Sequence, residues 1–298
     1  MEMKVLIVGG GLSGLHTAYT LDKAGIDYVL VEARSRFGGR ILSCNYDEED
    51  YDSSKPSYDL GPAWFWPGQV QMQALVDELD LTHKVFMQYS KGDALFENGP
   101  DIQRGISGIS MQGSYRLNGG MGCLIEALQQ KVRHKIECGM VFNNARVTDV
   151  HYEDGAIIAT IHRGDEFETF RSSAVIMALP PRLAVNSIRF SPALSAQRMA
   201  ELAALETWMA GQAKAVILYE TPFWRKLGFS GDVVSQEGPM REIHDASPAE
   251  GGPYALFGFI SVLPRQRQHN YDLLKVSIQE QLVKLFGPQA SQARACSH

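Results

Sequence analysis

The apolar run Val5-Leu-Ile-Val8, followed at once by Gly9-Gly-Gly-Leu-Ser-Gly14, constrains this chain more than any other feature. A short apolar run suits a strand buried on both faces of a parallel sheet. Leu15, Ala18, Tyr19 and Leu21 then recur at helical spacing, Gly25 stops the helix, and Tyr28-Val-Leu-Val-Glu32 reads as a second strand. Gly9, Gly11 and Gly14 fit the G-x-G-x-x-G pattern of a dinucleotide-binding βαβ unit. The first glycine permits the tight turn, the second lets backbone approach a pyrophosphate, and the third lets helix pack on strand. The N–H groups of Leu12, Ser13 and Gly14 would face that anion, assisted by the helix dipole. Glu32 ends the second strand eighteen residues past Gly14, where it can accept ribose hydroxyls. With strand, helix and acid all in place, a dinucleotide site outweighs a merely structural turn. The motif does not choose between nicotinamide and flavin.

Composition narrows the partners. The 298 residues suggest one large or two interleaved domains, and 45% hydrophobic with 21% charged residues is ordinary for a globular chain. A formal net charge of −6 provides no basic field, so nucleic acid is not the expected partner. The four cysteines (Cys44, Cys123, Cys138, Cys296) form no C-x-x-C, and the eight histidines form no H-x-H or H-x-x-x-H. No metal site or disulfide framework is expected, and a reducing compartment fits best. The longest apolar stretch, Tyr254 to Leu263, is too short to span a bilayer, and the N-terminus enters a strand without a signal-peptide pattern. A cytoplasmic protein without membrane attachment is expected.

Further along, the acidic run Asp47–Asp50 reads as a solvated loop, 70–79 and 123–132 as helices, and 85–112 as mixed strand and turn. Strands are predicted over 139–150, 156–162, 166–170 and 174–178, with Asp154-Gly155 as a hairpin turn. Helices are predicted over 194–210 and 271–286, and strands over 213–219 and 254–263.

Past Glu32 the chain reads Ala33-Arg34-Ser-Arg-Phe-Gly38-Gly39-Arg40. Two adjacent glycines let backbone crowd a diphosphate while Arg40 supplies a charge-assisted contact. An R-x-G-G-R here resembles the flavin amine oxidase (monoamine oxidase) family and related FAD-binding oxidases and desaturases. The resemblance continues in Asp59-Leu-Gly-Pro-Ala-Trp64, similar to the family segment beside the flavin ring, with Gly61, Ala63 and Trp64 as implied neighbours. A local hydrophobic plug of Trp64, Phe65 and Trp66 fits that stretch equally well. Leu117-Asn-Gly-Gly-Met-Gly122 resembles the family's GGxG element. Val147 matches a strand whose backbone meets adenine, and Ala178-Leu-Pro-Pro181 a strand end that returns towards the cofactor.

Lys214 stands inside the apolar run Ala213 to Tyr219, where an ammonium is costly unless paired, exposed or chemically employed. Its spacing before Pro222-Phe-Trp224 resembles that of the family lysine that holds a water against flavin N5. A snorkelling edge-strand lysine is the competing reading.

The resemblance covers about residues 3–286 and implies an α/β fold. A glutathione-reductase-like FAD domain (1–66 and 114–204) would interleave with a smaller substrate domain containing a mixed sheet (67–113 and 205–298). It implies FAD-dependent oxidation of a small-molecule amine: hydride passes to flavin N5, the imine hydrolyses, and oxygen reoxidises FAD to give hydrogen peroxide. Only 48 residues separate Trp66 from Tyr115, so the helical substrate insertion of animal monoamine oxidases is largely absent. No part of the sequence matches the family's C-terminal FAD-covering segment. A partner chain or dimer could supply that segment. Rival readings are an FAD-dependent desaturase or porphyrinogen-type oxidase, a truncated non-catalytic FAD-fold protein, and a nicotinamide dehydrogenase.

Overall fold

The computed structural model describes residues 2–46, 51–106, 108 and 111–295; the acidic run 47–50 and Cys296 lie outside the described residues. Contacts divide the chain into two units, each assembled from two stretches: Met1–Ile41 with Leu124–Trp208, and Leu42–Cys123 with Met209–His298. The division falls after Ile41, so segments 42–66 and 114–123, expected in the first domain, have their contacts in the second unit. Local pairing accounts for this. Ser43–Asn45 pairs with Ser57–Asp59, Val85–Met87 pairs with Tyr115–Leu117, and Phe65 bridges Tyr115.

In the first unit, a seven-stranded mixed sheet runs in the order Arg189–Ser191, Arg146–Glu153, Ala156–Arg163, Glu166–Met177, Glu2–Val8, Tyr28–Val31, Val141–Phe142. The fingerprint strand lies inside it, parallel to both neighbours, with Val8 level with Val31 and with Met177. That explains its unbroken apolar character: Leu6, Ile7 and Val8 are all buried, and each such side chain contributes roughly 1.5–3 kcal/mol. The following helix, Leu12–Lys23, buries Leu15 and Ala18, and Gly25 at φ +65° follows its last turn.

The second unit holds another seven-stranded mixed sheet, ordered Arg294–Ala295, Ala213–Tyr219, Tyr254–Ile260, Met240–Asp245, Phe229–Ser235, Asp93–Asn98, Asp101–Gly105. Helix Tyr271–Phe286 buries Ile278, Leu282, Leu285 and Phe286 in a cluster with Trp224, Ile243 and Leu256. Among the described residues, no helix is long and apolar enough to cross a membrane.

Several elements differ from the sequence pattern. The predicted strand 139–150 is two pieces, Val141–Phe142 and Arg146–Glu153, separated by Asn144 at φ +54°. Segments 166–170 and 174–178 form one strand, Glu166–Met177, because Arg171 and Ser172 stay in register with both neighbours. The helix expected over 194–210 is limited to Ala196–Ala204 and is followed by a turn with Met209 at φ +60°. Strands Phe229–Ser235 and Met240–Asp245 were not predicted, since Asp232, Glu242 and His244 interrupt their apolar pattern.

Candidate functional site

The glycines of the first unit have different physical jobs. Gly9 adopts φ +110°, and a Cβ there would lie 2.6 Å from the Ala178 carbonyl oxygen, so the strand end 178–181 packs directly against this turn. A Cβ on Gly14 would lie 1.8 Å from the Gly9 oxygen, which fixes how closely the helix meets the strand. Gly11 differs: its φ is −75°, and the nearest atom to an added Cβ is the Gly39 Cα at 3.7 Å. Protein packing therefore does not require glycine at position 11. No side chain caps the helix and no acid occupies its first turn, so the first-turn N–H groups can receive an anion.

The Glu32 carboxylate is buried and accepts the Gly10 N–H at 2.7 Å on one oxygen and the Arg34 N–H at 2.8 Å on the other. Two of roughly four acceptor positions are thereby used, and two remain for hydroxyls. Exposed Ala33 and Arg34 follow; the Asn144 N–H donates to the Arg34 carbonyl at 2.9 Å, and the Ala145 N–H to the Glu32 carbonyl at 2.9 Å. This brings the strand of Val147 beside Glu32, although the Val147 side chain itself is buried in the core.

The Gly38-Gly39 loop lies against the fingerprint. Gly38 donates its N–H to the Gly10 carbonyl at 2.8 Å and bridges Gly11. Arg40 is exposed and donates to the Trp208 carbonyl at 3.3 Å. Arg36, absent from the predicted site, holds the loop by donating to the carbonyls of Phe37, Gly39 and Ile41 at 3.2, 2.9 and 3.0 Å. Gly10 was also missed; a Cβ there would meet Phe37 at 2.5 Å and Glu32 at 2.9 Å. An open Gly11, an uncapped helix start and a half-used carboxylate together fit the ADP portion of FAD.

In the second unit, three segments distant in sequence meet at Asp59. Its Oδ1 accepts the Ser43 hydroxyl at 2.5 Å and the Met121 N–H of the Gly-Gly-Met-Gly element at 2.8 Å. Lys214 donates from Nζ to the carbonyls of Asp59 at 2.9 Å and Gly61 at 3.0 Å. The lysine is half-buried and clamps the Asp59–Gly61 turn, and its third donor has no protein partner among the described residues. Its ammonium also lies 4.2 Å from the Phe257 ring centroid and 5.2 Å from that of Trp64. Burial pushes Lys214 down to about 8 against the attraction of Asp59, with a further push from Arg116.

The three adjacent aromatics separate. Ala63 and Phe65 are buried, Trp66 is exposed, and Trp64 is half-buried with its Nε1 donating to Gln88 at 2.9 Å. Gln88 in turn donates to the Asp245 carbonyl at 2.7 Å. Trp64 packs against Phe257 at 4.9 Å and edge-on to His244 at 5.7 Å. His244 is buried between Asp232 at Nδ1 and Glu242 at Nε2, both at 2.6 Å. Burial alone would lower its pKa, but the two carboxylates outweigh it and hold the ring above its ordinary value. Trp224 of the Pro-Phe-Trp segment is fully buried and donates to Asp245 at 2.8 Å, which ties the segment just past the Lys214 strand to the end of strand Met240–Asp245. Gln88, His244 and Phe257 carried no motif signal.

The family described as Flavin containing amine oxidoreductase matches residues 103–298, and an NAD(P)-binding Rossmann-like domain family matches 7–79. The probable flavin-containing monoamine oxidase A of Dictyostelium discoideum is 25% identical, covering 97% of this chain and 82% of that protein. Amine oxidase [flavin-containing] B of Homo sapiens is 23% identical, covering 94% and 69%. Among solved structures, putrescine oxidase bound to putrescine superposes with a TM-score of 0.79 at 20% identity, covering all of this chain and 85% of that one. Cyclohexylamine oxidase from Brevibacterium oxydans superposes at 0.74 with 17% identity, covering 98% and 83%. With the flavin-fitting cradle already in place, these matches make the chain a member of the flavin containing amine oxidoreductase family, an FAD-dependent enzyme of amine oxidation.

Proposed function

We propose that the first unit is the FAD-binding domain, that the second is the substrate domain, and that Lys214 is the catalytic cation of the oxygen half-reaction. Gly9, Gly11, Leu12, Ser13 and Gly14 would cradle the diphosphate, with Gly38, Gly39 and Arg40 closing over it. Glu32 would take the ribose hydroxyls, flanked by Ala33 and Arg34, and the Val147 backbone would meet adenine. Gly61, Ala63 and Trp64 would neighbour the flavin ring. When bound, FAD accepts a hydride from the carbon bearing the amine nitrogen and passes both electrons to oxygen, giving hydrogen peroxide. The protein's own part is positional and electrostatic: a preorganised ammonium stabilises negative charge that develops beside it. A cytoplasmic setting accords with a sequence whose four cysteines form no C-x-x-C.

The observation that carries this reading is the ammonium of Lys214, fixed by two carbonyls with one donor left without a hydrogen-bond partner among the described residues. The test uses the FAD-loaded protein and a panel of amines, with peroxide and flavin absorbance followed by stopped flow. Lys214→Met should slow reoxidation by oxygen at least about tenfold, as expected for one lost electrostatic contact, and leave flavin reduction by the amine much less affected. Reoxidation at the parent rate would make Lys214 a structural clamp only. Flavin reduction by a carbon–carbon substrate and by none of the amines would favour the desaturase reading.

A further inference from the structure

Nothing in the motifs explains how Lys214 keeps a charge inside an apolar strand, and the Asp59 side chain supplies an answer. It is 4% exposed, with two donors on Oδ1 and a buried Oδ2 that has no hydrogen-bond partner among the described residues. The Ser43 oxygen itself accepts the Gly122 N–H at 2.9 Å, which leaves its single proton for Asp59. Burial pushes the Asp59 carboxyl above its ordinary range, and the Ser43 hydroxyl, the Lys214 and Arg116 charges and the Met121 N–H oppose that push.

The opposing group is Arg116, also 4% exposed. It donates to the carbonyls of Ser247 and Ala246 at 2.7 and 3.0 Å, while its Nε is buried without a hydrogen-bond partner among the described residues. Asp59 attracts the Lys214 ammonium and Arg116 repels it. Arg116 in turn feels the ion pair of Asp245 with Arg225, and His244, held by Asp232 and Glu242, packs against the Trp64 and Phe257 rings.

We propose that Asp59 is a positioning residue that sets the charge of Lys214: its carboxylate, bonded by Ser43 and the Met121 N–H, is the counter-charge of the ammonium that its own backbone carbonyl holds. The turn that Lys214 clamps through its carbonyls thus also carries the counter-charge. The proposal deepens the reading of Lys214 as the acting cation and rests on it for its relevance to catalysis.

The test measures charge rather than turnover. FAD-loaded protein is acetylated with isotope-labelled acetic anhydride between pH 6 and pH 10, and the Lys214 peptide is quantified by mass spectrometry. The parent should titrate at about 8. Asp59→Asn keeps the size and an acceptor for Ser43 and Met121 but removes the charge. Its midpoint should fall by about one unit, raising the neutral amine about tenfold at pH 6. Ser43→Ala, which removes only one donor to the carboxylate, should shift the midpoint less and in the same direction; it decides the matter if near-UV circular dichroism shows that Asp59→Asn is misfolded. Unchanged midpoints in the folded variants would overturn the proposal. If Asp59→Asn shifts the midpoint while Lys214→Met reoxidises normally, the charge linkage stands and the catalytic reading fails.

Discussion

Gly11→Ala and Gly14→Ala should separate cofactor binding from folding, although the two residues are three positions apart in one motif. An alanine Cβ at 14 would stand 1.8 Å from the Gly9 oxygen. Gly9 cannot retreat, because its N–H donates to Val31 at 2.8 Å and Ala178 lies against it. The helix must therefore slide off the strand, an overpacking that costs about 1–3 kcal/mol and should lower the melting temperature by roughly 3–10 °C. At Gly11 the backbone is already allowed for alanine and the added methyl has room. The FAD-free protein should keep its stability or gain up to about 1 kcal/mol from a less flexible unfolded chain. The same methyl would occupy the space through which the diphosphate approaches the helix N–H groups. Losing one or two charge-assisted hydrogen bonds there should weaken FAD about tenfold to a few hundredfold. Thermal circular dichroism of the FAD-free form and a flavin fluorescence titration read the two effects separately. Parental FAD affinity in Gly11→Ala would show that the diphosphate does not pass this residue, and an unshifted melt in Gly14→Ala would refute the packing argument.

Glu32→Ala removes the acceptor of the Gly10 and Arg34 N–H groups as well as the proposed ribose contact. It should lower both FAD affinity, by at least about tenfold, and FAD-free stability, by about 1–3 kcal/mol; a variant melting like the parent would contradict the bonding described. Oxygen reoxidation of the loaded parent should decline as pH rises through about 8, where Lys214 loses its proton, and should be flat across that range in Lys214→Met. A flat parental profile by stopped flow would remove Lys214 from the step. Stability carries the same signature with a definite sign. The folded lysine titrates near 8 and the unfolded one near 10.5, so between those values the unfolded chain binds more protons and stability rises with pH. The rise should total about 3 kcal/mol relative to Lys214→Met, measured by urea unfolding at pH 7.5 and 10.5, and equal pH dependence of the two proteins would exclude it.

What the sequence disclosed about the fold was local. Val5 to Val8, Gly9 to Gly14 and Tyr28 to Glu32 contain their whole physical case within thirty residues: strand, turn, helix and strand each follow from neighbours in the chain. The strands Phe229–Ser235 and Met240–Asp245 could not be read that way, because Asp232, Glu242 and His244 look like loop residues until they are seen pairing with one another in the interior. Burial of a charged side chain is licensed by its partner, and Asp232 stands on a different strand from His244. Asn144 has a similar effect on a smaller scale, since a single positive φ divides what pattern alone presents as one strand.

The candidate site divides along the same line. The cradle of the first unit is made largely of backbone, so it needs glycines at fixed spacing, and spacing is visible in a sequence. The second unit builds its site from side chains whose meaning depends on what lies opposite. Lys214 stands out because ammonium is conspicuous among Ala213, Ala215 and Val216, yet what it touches is 153 and 155 residues away in sequence. Asp59 was visible only as the first letter of a flavin-like segment, and its surroundings come from Ser43, Met121 and Lys214, each distant in sequence. Phe257 looks like any core phenylalanine until its ring is found 4.2 Å from that ammonium. A substitution in the first group therefore acts on binding geometry, while one in the second acts on charge. That is why the glycine variants call for a titration with FAD, and the Asp59 and Lys214 variants call for a titration with protons.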